Sequence, residues 1–326
     1  MNAPDLVYYS DDRPGIRRRK RGRGWSYLAP DGTRIDCAKE RKRIDALAVP
    51  PAYEDVWISP KVNGHLQATG RDARARKQYR YHADWTAFRA LTKFDALADF
   101  GAMLPRIRRR ILADLKDDPG DKSFAIAAVL ALLDRTAIRV GTADYAAENG
   151  TYGATTLKPR HLSLKSGEIR LSYTGKGGKS VRKQLRDQTL NRVLNRLQDL
   201  PGADLISWVD DSGTPQSITA DAINATLHDI TGDDRLTAKT FRTWAGTTAA
   251  FEAAISTPDL TIKTMAEAAS QRLANTPTIA RNSYIHPRVI DLAERPADDR
   301  AVLLENREDV DNLRQSEAAL LTFLST

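Results

Sequence analysis

The sequence has 326 residues, a formal net charge of +8 and a single cysteine, Cys37. One cysteine excludes an internal disulfide, and the lack of any apolar run of about 18 residues excludes a membrane-spanning helix. The N-terminal residues lack the apolar core of a secretory signal, so we expect a protein of the reducing cytoplasm with no membrane association.

The excess positive charge lies entirely in the first quarter of the chain. Residues 1–90 carry 19 Lys and Arg against 11 Asp and Glu, whereas the rest of the chain carries equal numbers of basic and acidic residues. Such asymmetry is typical of a domain that binds a polyanion, most often nucleic acid. The basic run Arg17–Arg23 alone fits a disordered tail equally well, but more basic residues follow within patterned sequence, which favours a folded basic surface.

Residues 25–81 have the pattern of several short strands. WSYLAPDGTRID has a Pro-Asp-Gly turn between two β-prone runs and predicts a hairpin, and AKERKRIDAL predicts a helix that ends before Pro50. DVWIS, HLQATG and KQYRYH predict strands, the last two joined by the basic loop RDARAR. Aromatic residues interleaved with Arg and Lys suit base stacking and phosphate contact together. The candidate nucleic-acid contacts are Gln67, Arg71, Lys77 and Tyr79.

Helical periodicity dominates from about residue 85 onward. FAIAAVLALLDRTAIRV predicts a core helix with Arg139 at its end, and residues 155–187 form one β-rich interruption with turns at Ser166-Gly167 and at TGKGGKS. Thr276 followed by Pro277 predicts the start of a short helix that carries Tyr284. The last segment, AVLLENREDVDNLRQSEAALLTFL, is amphipathic with a leucine face.

These patterns predict an α+β protein of two domains. A small, basic, β-rich domain covers residues 1–84, and a larger, mainly helical domain with a small β-sheet covers residues 85–326.

Two kinds of cofactor site are rejected on spacing. TGKGGKS resembles a phosphate-binding loop, but that motif requires glycine where this chain has Tyr173, and it opens a helix instead of joining two strands. The five histidines are scattered, and none pairs with another ligand at zinc spacing. We therefore expect no nucleotide, no metal and no other cofactor.

A set of basic and polar positions followed by a late tyrosine carries the candidate chemistry. The positions are Arg139, Lys176, Lys239, Arg242, Asn275 and Tyr284. In this order and spacing they resemble the catalytic residues of type IB DNA topoisomerases, in particular the small poxvirus-like enzymes found in bacteria. The resemblance extends to the N-terminal domain through HLQATGRDARARKQYRYH and covers nearly the whole chain.

The resemblance implies the catalytic fold that type IB topoisomerases share with tyrosine recombinases, and a two-domain clamp around double-stranded DNA. Tyr284 would attack a backbone phosphate to give a 3′-phosphotyrosyl bond and a free 5′-hydroxyl. Arg139 and Arg242 would stabilise the phosphoryl oxygens, Lys176 would protonate the leaving oxygen, and Lys239 would bind DNA. Strand rotation and religation would then relax supercoils without ATP or metal, in a nucleoid-associated monomer.

Asn275 departs from the pattern, since most of the family has histidine at this position. Asparagine can donate a hydrogen bond to a phosphoryl oxygen but carries no titratable proton. We therefore expect a hydrogen-bond donor here, and slower cleavage than in the histidine enzymes.

Other interpretations of the same residues exist. Tyr284 alone fits an ordinary helix tyrosine, and Lys239 with Arg242 fits a solvated basic helix face. Tyrosine recombinases and integrases share the fold, but they typically have His-x-x-Arg where this chain has Lys239 to Arg242, and a helical N-terminal domain. A non-catalytic DNA-binding protein accounts for the charge but not for the tyrosine and its companions.

Overall fold

A five-stranded antiparallel sheet followed by a mainly helical region confirms the predicted α+β class. The computed structural model describes residues 5–73, 75–198, 200 and 202–326, leaving aside the side chains of residues 89–91. Residue contacts divide the chain into two compact units, one ending at Asp95 and the other beginning at Ala96. The boundary predicted from sequence falls after residue 84. Arg74, in the predicted basic loop, lies outside the described residues.

The first unit is built on a sheet with the strand order β2-β1-β3-β4-β5. Its strands are β1 (Ile16–Arg21), β2 (Gly24–Leu28), β3 (Glu54–Ile58), β4 (Leu66–Arg71) and β5 (Lys77–Tyr81). Helix α1 (Ala38–Ala46) connects β2 to β3, and helix α2 (Ala83–Thr92) follows β5. The strands β3, β4 and β5 and the helix α1 were all predicted, and all four are confirmed.

Most of the basic run Arg17–Arg23 is part of this sheet. Arg17–Arg21 belong to β1, which pairs with β2 along its length and with β3 through Ile16 and Arg17. The hairpin predicted within residues 25–36 is present but short: an antiparallel bridge pairs Leu28 with Arg34, and the amide of Ile35 donates to the Tyr27 carbonyl at 2.9 Å. A second hairpin, which was not predicted, joins β1 to β2, and Gly22 in its turn has a φ of 56°, the left-handed conformation that a tight turn requires.

A hydrophobic cluster of the first unit packs on one side of the sheet. Val56 and Ile58, two residues apart on β3, both belong to it, as the period of two in a strand requires. The buried residues of this cluster are Ile16, Tyr27, Ile44, Val56, Ile58 and Ala68. The opposite alternation along β5 leaves Lys77, Tyr79 and Tyr81 on one exposed face.

The second unit contains helices and two small sheets. Its longer helices are α3 (Leu97–Asp114), α4 (Lys122–Thr136), α6 (Gln188–Gln198), α7 (Ala220–Thr231), α8 (Ala238–Ser256), α9 (Ile262–Leu273) and α13 (Gln315–Ser325). Its shorter helices are α5 (Ala143–Asn149), α10 (Pro277–Tyr284), α11 (Pro287–Ile290) and α12 (Ala297–Glu305). The strands are β6 (Leu162–Lys165), β7 (Glu168–Gly175), β8 (Lys179–Arg186), β9 (Ser207–Val209) and β10 (Pro215–Ser217). The pair β9 and β10 and the helix α5 were not predicted.

Helix α4 is the centre of this unit. Its buried residues lie on every side of the helix, the pattern of a helix enclosed by other elements. It packs against α3, α6, α7 and α8. The predicted core helix is thus confirmed, but its end is not where the sequence placed it. The helix stops at Thr136, because Ala137 turns the chain with a φ of 53°, and Arg139 lies in the segment that follows.

The predicted β-rich interruption is confirmed as the sheet β6-β7-β8. Ser166 and Gly167 both have positive φ, 49° and 77°, as the two central residues of a tight hairpin turn require. The TGKGGKS segment joins β7 to β8 through one short turn at Lys176–Gly178. The final amphipathic segment forms two helices, α12 and α13, separated by residues 306–314.

Candidate active site

One cavity of about 300 Å³ in the second unit brings together most of the predicted site residues. Its lining includes Arg139, Lys176, Lys239, Arg242 and Tyr284. These residues come from the segment after α4, the β7–β8 turn, helix α8 and helix α10. The tertiary fold therefore places four basic side chains and a phenol around one space, although they are far apart in the sequence.

Tyr284 is the last residue of helix α10. That helix begins as predicted, with the hydroxyl of Thr276 accepting a hydrogen bond from the amide of Ile279 at 3.3 Å and with Pro277 at the first helical position. Helix α8 holds the other end, since the Thr247 hydroxyl donates to the Tyr284 carbonyl at 3.1 Å. Gly246 permits this contact, because a Cβ there would lie 2.8 Å from that carbonyl oxygen.

Arg242 lies on the buried face of α8 and is 3% exposed. Its guanidinium donates to the carbonyls of Ala137 and Leu273, the latter at 3.1 Å. The guanidinium carbon lies 5.1 Å from the centre of the Tyr284 ring. Lys239 lies one turn earlier on the same helix and is exposed at the cavity. Lys239 therefore fits a solvated basic helix face, whereas Arg242 is buried and does not.

Arg139 is held through its backbone by a second segment. The Arg139 carbonyl accepts from the amide of Ala154 at 2.8 Å, and the Val140 carbonyl accepts from the amide of Thr155 at 2.8 Å. The two segments meet closely at Gly153, where a Cβ would lie 2.5 Å from the Arg139 carbonyl oxygen. Arg139 therefore lies outside helix α4, and backbone hydrogen bonds from a second segment hold it in place.

Lys176 lies at the tip of the β7–β8 hairpin and is exposed. The two glycines that follow it have φ values of 77° and 75°, so the turn depends on their left-handed conformation. Lys179, its neighbour across the turn, is not among the residues that line the cavity.

Asn275 does not line the cavity but contacts a residue that does. Its side-chain oxygen accepts a hydrogen bond from Arg139 at 2.9 Å, which orients the amide nitrogen away from that guanidinium. Its backbone N–H and C=O both bond to Ser270, at 3.1 Å each. Within the described part of the chain, the side-chain nitrogen of Asn275 and Nε of Arg242 are buried donors without a partner. A buried donor without a partner costs about 1–3 kcal/mol, so both are suited to an incoming acceptor.

The charges around Tyr284 change the acidity of its phenol. Burial by itself raises the pKa of Tyr284, but Arg242, with smaller contributions from Arg139 and Lys239, lowers it below the ordinary value of a tyrosine. Cations that stabilise a phenolate make the oxygen a better nucleophile near neutral pH. Burial together with Arg139 lowers the pKa of Arg242, an effect that Tyr284 opposes.

Two protein-family models match this chain. The family model for the catalytic core of eukaryotic DNA topoisomerase I matches residues 73–280. The model for the N-terminal domain of bacterial DNA topoisomerase IB matches residues 24–72.

The chain belongs to the type IB DNA topoisomerase family.

Individual proteins are similar to this chain to different extents. DNA topoisomerase 1B of Acanthamoeba polyphaga mimivirus is 26% identical over 293 residues, which is 85% of this chain and 87% of that protein. DNA topoisomerase 1B of Vaccinia virus (strain Copenhagen) is 27% identical over 124 residues, 38% of this chain and 39% of that protein. A solved structure of XerH site-specific recombinase bound to difH substrate matches with a TM-score of 0.37 and 13% identity, covering 58% of this chain and 52% of that one.

Four of the five predicted DNA contacts of this type IB family member lie in the first unit and differ in their exposure, whereas the fifth, Lys239, lines the cavity on α8. Tyr79 is 48% exposed, its ring stacks on Tyr81, and the Lys77 ammonium lies 5.4 Å from the Tyr79 ring centre. Lys77 also pairs with Asp11 at 2.6 Å. Arg71 is exposed and donates to the Ala75 carbonyl at 2.9 Å.

Gln67 has a different environment from the other three. It is 4% exposed, its amide nitrogen donates to three carbonyls of residues 61–64, and its oxygen accepts from Arg43. Its side-chain amide is hydrogen-bonded to residues within the first unit. Gln67 is therefore not part of the DNA-binding surface proposed below.

Several residues that build the site were missed by sequence reasoning. They are Gly153, Lys183, Gly246, Thr247 and Ser270. Only Gly246 left a signal, since it lies four residues after Arg242 and therefore on the same helix face. The others act through contacts between segments far apart in the sequence.

Two kinds of feature are absent from the described residues. No helix among them is long and apolar enough to cross a membrane. No group of three or more His, Cys, Asp or Glu among them could hold a metal ion.

Proposed function

We propose that this chain relaxes supercoiled duplex DNA by cutting and resealing one strand through Tyr284. The observation that carries the proposal is the single cavity in which a tyrosine of lowered pKa meets Arg139, Lys176 and Arg242. A phosphodiester is an anion that gains negative charge at its non-bridging oxygens during attack, so fixed cations and N–H donors around it stabilise the transition state.

The position of each side chain supports a proposed role. The phenolic oxygen of Tyr284 attacks the phosphorus, forming a 3′-phosphotyrosyl bond and releasing the 5′-oxygen of the next nucleotide. Arg242, fixed by two backbone carbonyls, presents its Nε to a phosphoryl oxygen, and Arg139, which lines the same cavity, presents its guanidinium. Removing one such donor is expected to cost on the order of 10²–10³ in rate.

Lys176 and Asn275 complete the proposed site. Lys176, exposed on a glycine-rich turn, is placed to give a proton to the departing 5′-oxygen, a contribution of typically about 10²–10⁴ in rate. Asn275, oriented by Arg139, donates its side-chain N–H to a phosphoryl oxygen. Because asparagine has no titratable proton, it acts only as a donor.

The proposed cycle needs no ATP. The phosphotyrosyl bond keeps the energy of the broken phosphodiester, so the 5′-hydroxyl can reseal the strand after rotation about the intact one. We propose that a monomer does this in the cytoplasm, at the nucleoid, with no nucleotide and no metal.

The test of this function is relaxation of a supercoiled plasmid that carries no special site, in EDTA and without ATP. We expect conversion to relaxed topoisomers in steps. Strand exchange confined to particular sites, without relaxation of the plasmid, would instead identify a tyrosine recombinase. Tight binding with neither reaction would identify a non-catalytic DNA-binding protein.

The exposed face of β5 is proposed as a DNA-binding surface of the first unit. Replacing Lys77 with glutamine is expected to weaken DNA binding and to reduce the slope of log affinity against log salt by about 1, because one phosphate contact no longer releases a counterion. Titration of a labelled duplex at several salt concentrations measures both quantities.

Asp11 provides a control for which the expected change in DNA affinity has the opposite sign. It pairs with Lys77 at 2.6 Å, so Asp11→Asn frees the ammonium and removes a negative charge from the same surface. This variant is expected to bind DNA more tightly than the wild type. Equal affinity of both variants and the wild type at every salt concentration would remove this face from the binding surface.

A further inference from the structure

Strand β8 carries a lysine at a position that its pattern reserves for an apolar side chain. Val181 and Lys183 lie on the inward side of the strand, and Lys183 is paired in register with Leu171, which is 1% exposed. Lys183 is half-buried on this side, where a lysine is usually paired with a carboxylate. Among the described residues, no carboxylate lies within ion-pair distance of Lys183.

The ammonium of Lys183 instead donates to the carbonyl oxygen of Arg272, in the last turn of α9. The carbonyls at a helix C-terminus have no partners within the helix and carry partial negative charge, so a cation is favoured there. Burial, with smaller effects of the neighbouring Arg272 and Arg242, lowers the pKa of Lys183 to about 8. Its placement therefore carries a desolvation cost that an apolar side chain would avoid.

The same turn receives three cationic side chains from three different elements. The contacts are Lys183 to the Arg272 carbonyl, Arg242 to the Leu273 carbonyl and Arg139 to the Asn275 side chain. Two of these cations belong to the proposed active site. The third comes from the strand that follows the Lys176 turn, so it joins the hairpin to the turn that presents Asn275.

We propose that Lys183 is a positioning residue for strand cleavage, holding the last turn of α9, and with it the amide of Asn275, against the hairpin that carries Lys176. This inference rests on the proposed function. Lys183 does not reach the reacting atoms; it acts through the backbone three residues before Asn275. Displacement of a reacting group by about 1 Å can cost about 100-fold in rate, so a small shift of this turn matters.

The variant Lys183→Met separates positioning from stability. Methionine fills similar space without a charge, so we expect unchanged or higher thermal stability. We also expect unchanged non-covalent DNA affinity and a single-turnover cleavage rate lowered by about 10- to 100-fold. Lys183→Arg, which keeps a cationic donor, is expected to recover part of the rate. Lys165→Met, which removes an exposed lysine from β6 of the same sheet, is the matched control and is expected to cleave at the wild-type rate.

A double-mutant cycle with Asn275→Ala tests the route of the effect. If Lys183 acts through Asn275, Lys183→Met costs little further rate once Asn275 is alanine. An equal loss in both backgrounds, or no loss in the wild-type background, overturns the proposal.

Hydrogen exchange gives a readout that does not depend on cleavage. The amides of Ala274 and Asn275 both donate to the Ser270 carbonyl and report on this turn. Lys183→Met is expected to accelerate their exchange by at least about 10-fold, because the turn opens more readily. Unchanged exchange overturns the positioning role even if the wild type cleaves DNA. A wild type that does not cleave refutes the proposed function, while the exchange rates still decide whether Lys183 holds the turn.

Discussion

Replacing Tyr284 with phenylalanine is expected to abolish covalent attachment to DNA while leaving non-covalent binding intact. The substitution removes only the phenolic oxygen, and the ring keeps its contact with Arg242, whose guanidinium carbon lies 5.1 Å from the ring centre. Loss of an enzyme nucleophile lowers the rate by roughly 10⁶-fold, because the remaining groups stabilise a transition state that cannot form. The measurement is transfer of a labelled DNA strand to protein under denaturing conditions, beside the affinity for an uncut duplex.

A second tyrosine serves as the control for this substitution. Tyr145 also lines the cavity and is 51% exposed, so Tyr145→Phe removes a phenolic oxygen from the same space. This variant is expected to keep forming the covalent complex. A labelled adduct that persists in Tyr284→Phe would show that another residue is the nucleophile, and the proposed mechanism would fail.

Replacing Arg108 with methionine is expected to lower the free energy of unfolding by about 3–5 kcal/mol. Arg108 on α3 is 7% exposed and makes bidentate contacts with two buried carboxylates, Asp134 on α4 and Glu317 on α13, at 2.8–3.0 Å. Methionine would leave Glu317 buried without an ion-pair partner and Asp134 with only its contact to Arg135. Urea unfolding followed by circular dichroism measures the change.

Arg110 gives the matched control two residues along the same helix. It pairs with Asp114 at 2.8 Å, but its side chain is 51% exposed. An exposed ion pair contributes about 0.2–1 kcal/mol, so Arg110→Met is expected to change the unfolding free energy by no more than that. Equal effects of the two substitutions would mean that the buried cluster adds no more stability than a surface pair.

The buried cluster also predicts the direction of acid sensitivity. Burial raises the pKa of Glu317, but the contacts with Arg108 outweigh it and hold that pKa below its ordinary value. A carboxylate of lowered pKa stabilises the fold above its unfolded value of about 4.3, and this contribution is lost as the pH falls through the folded value. The stability difference between the wild type and Arg108→Met is therefore expected to shrink on acidification below that range.

Features that depend on a few neighbouring residues could be predicted from the sequence. Thr276 and Pro277 predicted the start of α10, and Ser166 with Gly167 predicted the turn between β6 and β7, because caps and tight turns are decided by local backbone chemistry. The apolar run from residue 124 predicted the central helix in the same way. The basic, β-rich character of the first domain follows from charge and alternation alone.

Features that depend on distant partners could not be predicted in this way. Arg17–Arg21 become a strand because β2 and β3 supply hydrogen-bond partners, and Gln67 is buried because three carbonyls and Arg43 surround its amide. Arg139 leaves the helix because Ala137 turns the chain, and Gly153 allows a second segment to hold its backbone.

The sequence by itself determined which chemical groups this protein has and in what order they occur: a late tyrosine, two arginines, a lysine on a glycine-rich turn and an asparagine. Only the tertiary structure decided that the tyrosine, the arginines and the lysine line one cavity, that Asn275 accepts a hydrogen bond from Arg139, and that Lys183 donates to the Arg272 carbonyl. The reason is physical. Periodicity and capping act over a few residues, whereas burial, the pKa of Tyr284 and the partner of each donor are set by side chains that are far apart in sequence and meet only on folding.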